Sequence, residues 1–450
     1  VKARQGVLPF LFLALLAAWL WGWRVAGATT AAWSVVLLSC IPPILAHAGV
    51  ATTDVPAAAT VGLAGYLIAR WLDTPGSLTR AAAMGVSVAI AACTKFSAIP
   101  FLGVAAIAWL VTRLPGWWMQ RRQVRMGPFV RRAALVGLVT VAGLMGTIAT
   151  IYRFSIGNIR GLAVIAPEFF RGIAEVAAHN RDGHLGYLLG HVSLYGTWEF
   201  FPVALAVKTP IGVLLLGLVG ACVLFARWRR GRDPHAIEVP LAALAVLVVG
   251  MTASINIGVR HVLPIYLSLA VLAAVGLEAL WRSSRAGFAS RALSIALIGW
   301  IAADVSRAGP DYLSYFNEFA SRDPGRVLVD SDLDWGQDVG ELRRWLAARG
   351  IASFHYRLFT YDGSRGLARA IFPDAEELRP YQEEHGWIAI SESYYREGDV
   401  SYNPSPPPRY SAMLNGRQGP VFLQQDAFKW LDRYQPAARI GRSIRVYEVP

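Results

Sequence analysis

Cysteine is scarce in this chain: Cys40, Cys93 and Cys222 are the three in 450 residues, each inside an apolar stretch. That excludes a disulfide framework and a thiolate metal site, and leaves the thiols to behave as small hydrophobes. Charge is scarce as well. Only 16% of the residues are Asp, Glu, Lys or Arg, against 55% hydrophobic, too few for the surface of a water-soluble protein of this length. Acids are scarcest early on: residues 1–307 hold 10 of the 30 acids but 26 of the 43 Lys and Arg. No G-x-x-x-x-G-K-[ST] loop and no dinucleotide fingerprint occurs, so a cytosolic nucleotide is not the expected donor for any group transfer. A signal peptide and an initiating Met are lacking too. The chain opens VKARQG and enters an apolar run at once, from which further upstream residues are expected.

What is present is a series of long apolar runs. About twenty such residues cross a bilayer, and the candidate spans are roughly 7–24, 31–49, 53–71, 81–94, 97–113, 132–151, 209–227, 239–255, 262–280 and 290–306. Three of the connections are rich in arginine: 113–132 holds six, 227–232 four and 281–291 three. Under ten crossings all three fall on one side, which the positive-inside rule makes the cytoplasm. The basic excess therefore faces anionic lipid, and no nucleic-acid partner is expected. Both chain ends then lie outside, which is awkward for the first span and points to a missing one before it. The expected fold is a polytopic α-helical membrane domain over 1–307 followed by a soluble extracytoplasmic α/β domain over 308–450. In the latter, strands are expected at 326–330, 386–391 and 443–448, a helix at 338–349 and a proline-rich loop at 403–408.

The polar groups of note gather on the outer side of this scheme. Asp54, Lys95, Arg260 and His261 all sit at span ends there. A charge near hydrocarbon costs at least ~2.5 kcal/mol, so each needs a partner or a ligand. Ammonium and guanidinium groups in that position suit a lipid phosphate, with Asp54 opposing them, orienting a sugar hydroxyl or accepting a proton. Snorkelling or a structural ion pair is the bland alternative for each residue alone. The link 152–208 ends in GHLGYLLGHVSLYGTWEFFPVALAVKTP, which reads as an interfacial aromatic belt or a platform for sugar rings. Its candidate sugar or acceptor contacts are His184, Tyr187, Trp198, Glu199 and Lys208. DSDLDWGQDVGE at 330–341 imitates a calcium loop through Asp330, Asp332, Asp334 and Glu341, but Trp335 stands where the loop needs glycine. The acids are better read as capping the next helix. No cofactor is expected, and a divalent cation at those four acids is the only one left open.

Taken in order, AHAGVATTDVPAAA, CTKFSA, the link sequence above, NIGVRHVLPIY, YFNEFA, DSDLDWGQDVGELRRWL and RIGRSIRVYEVP resemble bacterial members of glycosyltransferase family 39. These are polyprenyl-phosphate-dependent relatives of protein O-mannosyltransferases and of the lipid A aminoarabinose transferase. The resemblance implies a GT-C membrane fold in the cell (inner) membrane and inverting transfer of a sugar from a polyprenyl-phosphate lipid to an acceptor on the outer face. It makes Lys95 a donor-phosphate contact, with Arg260 and His261 a looser match to a basic motif beside the same phosphate. The family's presumed base is an Asp in the first outer loop, whereas this sequence begins where the second span should. Asp54 is therefore expected to be a second, orienting carboxylate, and the chain as given to bind lipid-linked sugar better than it transfers it. His47 has no family role and is expected to be packing. A transporter or flippase for the same lipids, or a non-catalytic scaffold, is the alternative.

Overall fold

The computed structural model describes residues 2–120, 126–231, 233–283, 287–359, 365–401, 410–414, 417–424 and 427–450. The chain divides into two compact units. The first takes residues 1–177, 208–252 and 260–312, the second 178–207, 253–259 and 313–450. Compared with a cut between 307 and 308, two outer-link segments join the tail.

The first unit is a helical bundle. Among the described residues, seven helices are long and apolar enough to cross a membrane: Ala3–Ala26, Asp54–Asp73, Ala98–Gly116, Phe129–Ile151, Ile211–Gly231, Pro234–Met251 and Gly287–Ala308. The second expected span is broken into Ala28–Ser39 and Pro42–Ala48, bent by 66°. Pro42 and Pro43 cause the break, because neither has an N–H to continue the preceding helix. Leu78–Thr94 and Ile265–Trp281 are helices of 17 residues each, about 26 Å long and short of a ~30 Å hydrocarbon core. Length alone thus supports seven spans, or eight with the bent pair, where the sequence reading counts ten.

Glycine sets the closest helix contacts. A Cβ on Gly220 would strike the Leu272 carbonyl, and one on Gly276 the Leu216 carbonyl, so Ile211–Gly231 and Ile265–Trp281 meet backbone to backbone. Gly85 does the same against Thr140 on the neighbouring pair. In lipid, where apolar contact with a helix is no better than contact with a tail, this close approach is a main source of association energy.

The second unit is built on a five-stranded sheet in the order Ala438–Ile440, Ile444–Val449, Gly386–Ser391, His355–Arg357, Glu376–Glu377. The first two pairings are antiparallel, and His355–Arg357 lies parallel to both of its neighbours. Period-two alternation buries both faces. Ala389, Ile444 and Val446 pack against Val339, Leu342 and Leu346 of the helix Val339–Ala347. Ile388, Ile390, Tyr447 and Val449 pack against Phe428 and Leu431. The expected helix and the second and third expected strands are present. The stretch 326–330 is not a strand: it lies between 3-10 turns at Pro324–Arg326 and Asp330–Asp332, as Asp330 adopts a φ of 52° that no strand accommodates. The expected loop at 403–408 lies outside the described residues.

Burial pushes the Asp334 carboxyl up to about 7, against ~3.9 in an unfolded chain. Between about pH 4 and 7 the folded state therefore keeps a proton that the unfolded state has released, and stability falls as pH rises through that window. Asp334→Asn should raise the Tm of the full chain at pH 8 by several degrees and leave it nearly unchanged at pH 4; equal shifts at both would contradict this. For the bundle, Gly220→Val and Gly276→Val should cut the yield of monodisperse protein severalfold. Gly103→Val, where nothing lies within 4 Å of the added carbon, should not; a similar loss from all three would remove the glycine seam as the cause.

Candidate functional site

Asp54 opens the helix Asp54–Asp73 and is 2% exposed. The residues before it, 49–53, make a turn from Pro42–Ala48 that brings His47 alongside. Lys95 caps the end of Leu78–Thr94 and donates from Nζ to Asp54 Oδ1 at 2.6 Å. Arg260, on the 3-10 turn Val259–Val262, places Nη1 3.9 Å from Asp54 Oδ2. His47 Nδ1 stands 4.0 Å from the same oxygen, which has no hydrogen-bond partner. Lys208, 2% exposed, is close enough to act electrostatically on His47. Two cations, Lys95 and Arg260, thus meet one carboxylate. The side chains of Lys95 and Arg260 each keep 21% exposure, so a second anion can reach them while Asp54 stays buried.

The structure brings together Asp54, Lys95, Arg260 and Lys208 from the sequence candidates, and adds His47, which the sequence reading assigned to packing. The break expected between the spans 31–49 and 53–71 is the turn at 49–53, and it folds the two back on each other. His261 shares the turn with Arg260, and it is Arg260 that approaches Asp54.

In the second unit, Tyr187 and Glu199 line a common cavity. His184 stacks 5.6 Å from the His179 ring, and Trp198 is 61% exposed. Two acids of the calcium-like stretch are occupied otherwise. Asp332 Oδ1 accepts from the Val259 N–H and Asp334 Oδ1 from the Gly336 N–H, both at 2.9 Å. No three of Asp330, Asp332, Asp334 and Glu341 bring ligand atoms within 4.8 Å of one another. Nor does Asp338 cap the following helix: its Oδ2 accepts from the Ser443 hydroxyl at 2.7 Å instead.

A second ionic cluster lies at the other end of Asp54–Asp73, and the sequence reading missed it. Glu238, fully buried, takes Arg24 in a two-point contact at 2.6 and 2.8 Å and also pairs with Arg113. Arg24 reaches Asp73 at 2.9 Å, and His235 Nδ1 lies 3.3 Å from Glu238. Asp73, His235 and Glu238 have the spacing of metal ligands, but the two guanidiniums already meet both carboxylates. Four helices are tied together here. The only signal in the sequence was the rarity of Glu238, an acid inside an apolar run.

If Asp54 is buried because cations meet it, removing a cation should hurt more than removing the pair. Breaking such a pair costs about 3–5 kcal/mol when fully buried, and less here because Lys95 is partly exposed. Lys95→Met should lower the Tm of the detergent-solubilised chain by several degrees, and adding Asp54→Asn should recover most of the loss. Additive losses in the double variant would show the two residues to be independent.

No family model and no curated protein matches the chain. Among solved structures, ArnT from Cupriavidus metallidurans bound to undecaprenyl phosphate aligns at 15% identity over 99% of this chain and 83% of that one, with a TM-score of 0.47. An Archaeoglobus fulgidus oligosaccharyltransferase tethered with an acceptor peptide aligns at 12% identity over 76% of this chain and 46% of that one, with a TM-score of 0.46. The archaeal oligosaccharyltransferase AglB from the same organism, in complex with an inhibitory peptide and a dolichol-phosphate, aligns at 10% identity over 85% and 57%, with a TM-score of 0.37. Every one of these alignments is below 0.5, and the functional reading rests on the residues instead.

Proposed function

We propose that the chain is a membrane glycosyltransferase of GT-C type that takes a sugar from a polyprenyl-phosphate donor and passes it to an acceptor at the outer face of the membrane. The observation that carries the reading is the cation-rich pocket around buried Asp54, with Lys95 at 2.6 Å and Arg260 at 3.9 Å. At the end of a membrane bundle, the anion that such a pair suits is a lipid phosphate. The arginine-rich links and the Glu238 cluster belong to the opposite end of the same helices, which supports a cytoplasmic side there and an outer side at Asp54. Below Asp54, Gly62 and Gly65 open a narrow apolar cleft against Trp21, Phe101, Trp109 and Leu267, suited to an isoprenoid tail.

In the reaction, an acceptor oxygen attacks the anomeric carbon while the bond from that carbon to the phosphate oxygen breaks, inverting the centre. The phosphate leaves with the electron pair, and Lys95 and Arg260 meet the charge that develops on it. The acceptor proton passes to a base. Asp54 is assigned to orientation: its charge is already met by Lys95, so it holds both cations toward the phosphate and away from one another. No metal is needed for the leaving group under this scheme, since two fixed cations take that role.

Photolabelling with a diazirine analogue of undecaprenyl phosphate tests the binding step in the full chain. Lys95→Ala and Arg260→Ala should each reduce labelling at least tenfold, while Asp54→Asn should lower transfer from a polyprenyl-phosphate mannose more than it lowers labelling. Labelling indifferent to all three changes would refute the assignment. Scrambling of the lipid in vesicles without any sugar transfer would favour a transporter instead.

A further inference from the structure

A second cavity lies wholly within the second unit. It measures about 310 Å³, at the small end of the ~300–1,000 Å³ range of ligand pockets. The hairpin formed by Gly186–Leu188 and His191–Ser193 makes one wall, and the segment Gly196–Phe200 with Asn256 the other. Tyr187 and Phe200, 5% and 3% exposed, give it buried aromatic surface. Its polar side chains are His191, Ser193, Thr197, Glu199 and Asn256, and the Ser193 hydroxyl donates to the Gly196 carbonyl at 3.3 Å. The Asn256 amide donates from Nδ2 to the Thr197 carbonyl at 2.8 Å, which fixes Oδ1 as the free end. That oxygen is buried without a hydrogen-bond partner, and so is the Thr197 hydroxyl; the residue Asn256 is 2% exposed. Glu199 adds a carboxylate and Ser193 a hydroxyl.

The cavity is also rigid. Gly186 and Gly196 clasp Asn256: a Cβ on the first would approach its carbonyl oxygen to 2.6 Å, and one on the second its Nδ2 to 2.8 Å. Gly196 has φ +67 besides, a conformation that glycine takes without strain. Such a clasp holds an unpaired amide oxygen in place, and a buried acceptor left unmet is unfavourable. A fixed set of hydroxyl, amide and carboxylate groups beside aromatic surface calls for a ligand with several O–H groups on one edge, able both to donate and to accept, and C–H groups on its face. We infer that this cavity is a carbohydrate-binding site for one sugar ring, distinct from the cation-rich pocket at Asp54. Its polar groups are Asn256, Thr197, Glu199 and Ser193, and its apolar surface is Tyr187 and Phe200.

Saturation-transfer NMR on the full chain in nanodiscs tests this, using methyl α-D-mannopyranoside, methyl β-D-glucopyranoside and methyl β-L-arabinopyranoside at about 10 mM, where weak ligands are still bound. At least one glycoside should receive saturation, strongest at its ring C–H protons. Thr197→Val and Glu199→Gln should each weaken its apparent Kd about tenfold; Thr197→Val keeps the side-chain shape, so loss of folding does not confound it. No transfer to any glycoside would mean that the cavity holds water only, and would overturn the inference, as would a Kd unchanged in both variants. Competition by a short-chain polyprenyl-phosphate mannose, but not by the bare polyprenyl phosphate, assigns the ring to the donor lipid. Its absence assigns the ring to an acceptor glycan, and both support the site. Because the readout is binding of a free glycoside, a failed transfer assay leaves it standing, and its own failure leaves the lipid-phosphate reading untouched.

Discussion

A carboxylate that is 2% exposed at the end of a membrane helix must be met by cations, and this requirement organises that end of the bundle. Leaving Asp54 unpaired would incur a desolvation penalty of several kcal/mol. Lys95 and Arg260 come from different stretches of chain to prevent it, and each must arrive at the right height. The result holds more positive charge than the acid needs. That surplus, placed where water ends and lipid begins, is what gives the proposed site its chemistry.

The same helix carries a matching constraint at its other end, where Asp73 and Glu238 are held by Arg24 and Arg113. Asp54–Asp73 therefore acts as a strut pinned at both ends by ions and packed along its length by small residues. The glycine seam between Ile211–Gly231 and Ile265–Trp281 complements it. Neither element depends on a large apolar driving force, which lipid does not provide. Both depend on close geometry, and both leave the helices little freedom to slide.

Much of this was legible in the sequence, and the failures have physical causes. Asp54, Lys95 and Arg260 stood out because charges at span ends are costly, and the order of spans put them on one side. His47 lay on the span before the break at 49–53 and gave no signal of its own, since a lone histidine at a span end reads as packing. The Glu238 cluster was hidden because its members are far apart in the chain, with Arg24 and Glu238 separated by 214 positions, and arginines near links read as loop charges. The supposed strand at 326–330 had the right residues, Val327, Leu328 and Val329, but Asp330 turns the chain out of extended geometry. In the second unit, GWIAIS and IRVYEV read correctly because short runs rich in apolar and β-branched residues, bounded by turn residues, mark strands buried on both faces. The Asn256 clasp could not be read at all, since it depends on two glycines some sixty and seventy positions away.

Lys95 ends a helix of 17 residues, and that shortness has a bearing on the surrounding bilayer. A segment of about 26 Å leaves the hydrocarbon several ångströms too thick beside it, a mismatch that lipids relieve by shortening and disordering their chains locally. A dimple of this kind lowers the headgroup plane toward the lysine. The isoprenoid phosphate proposed as donor would then reach the lysine without first being lifted out of the membrane, so that the entrance to the proposed site is made partly of lipid.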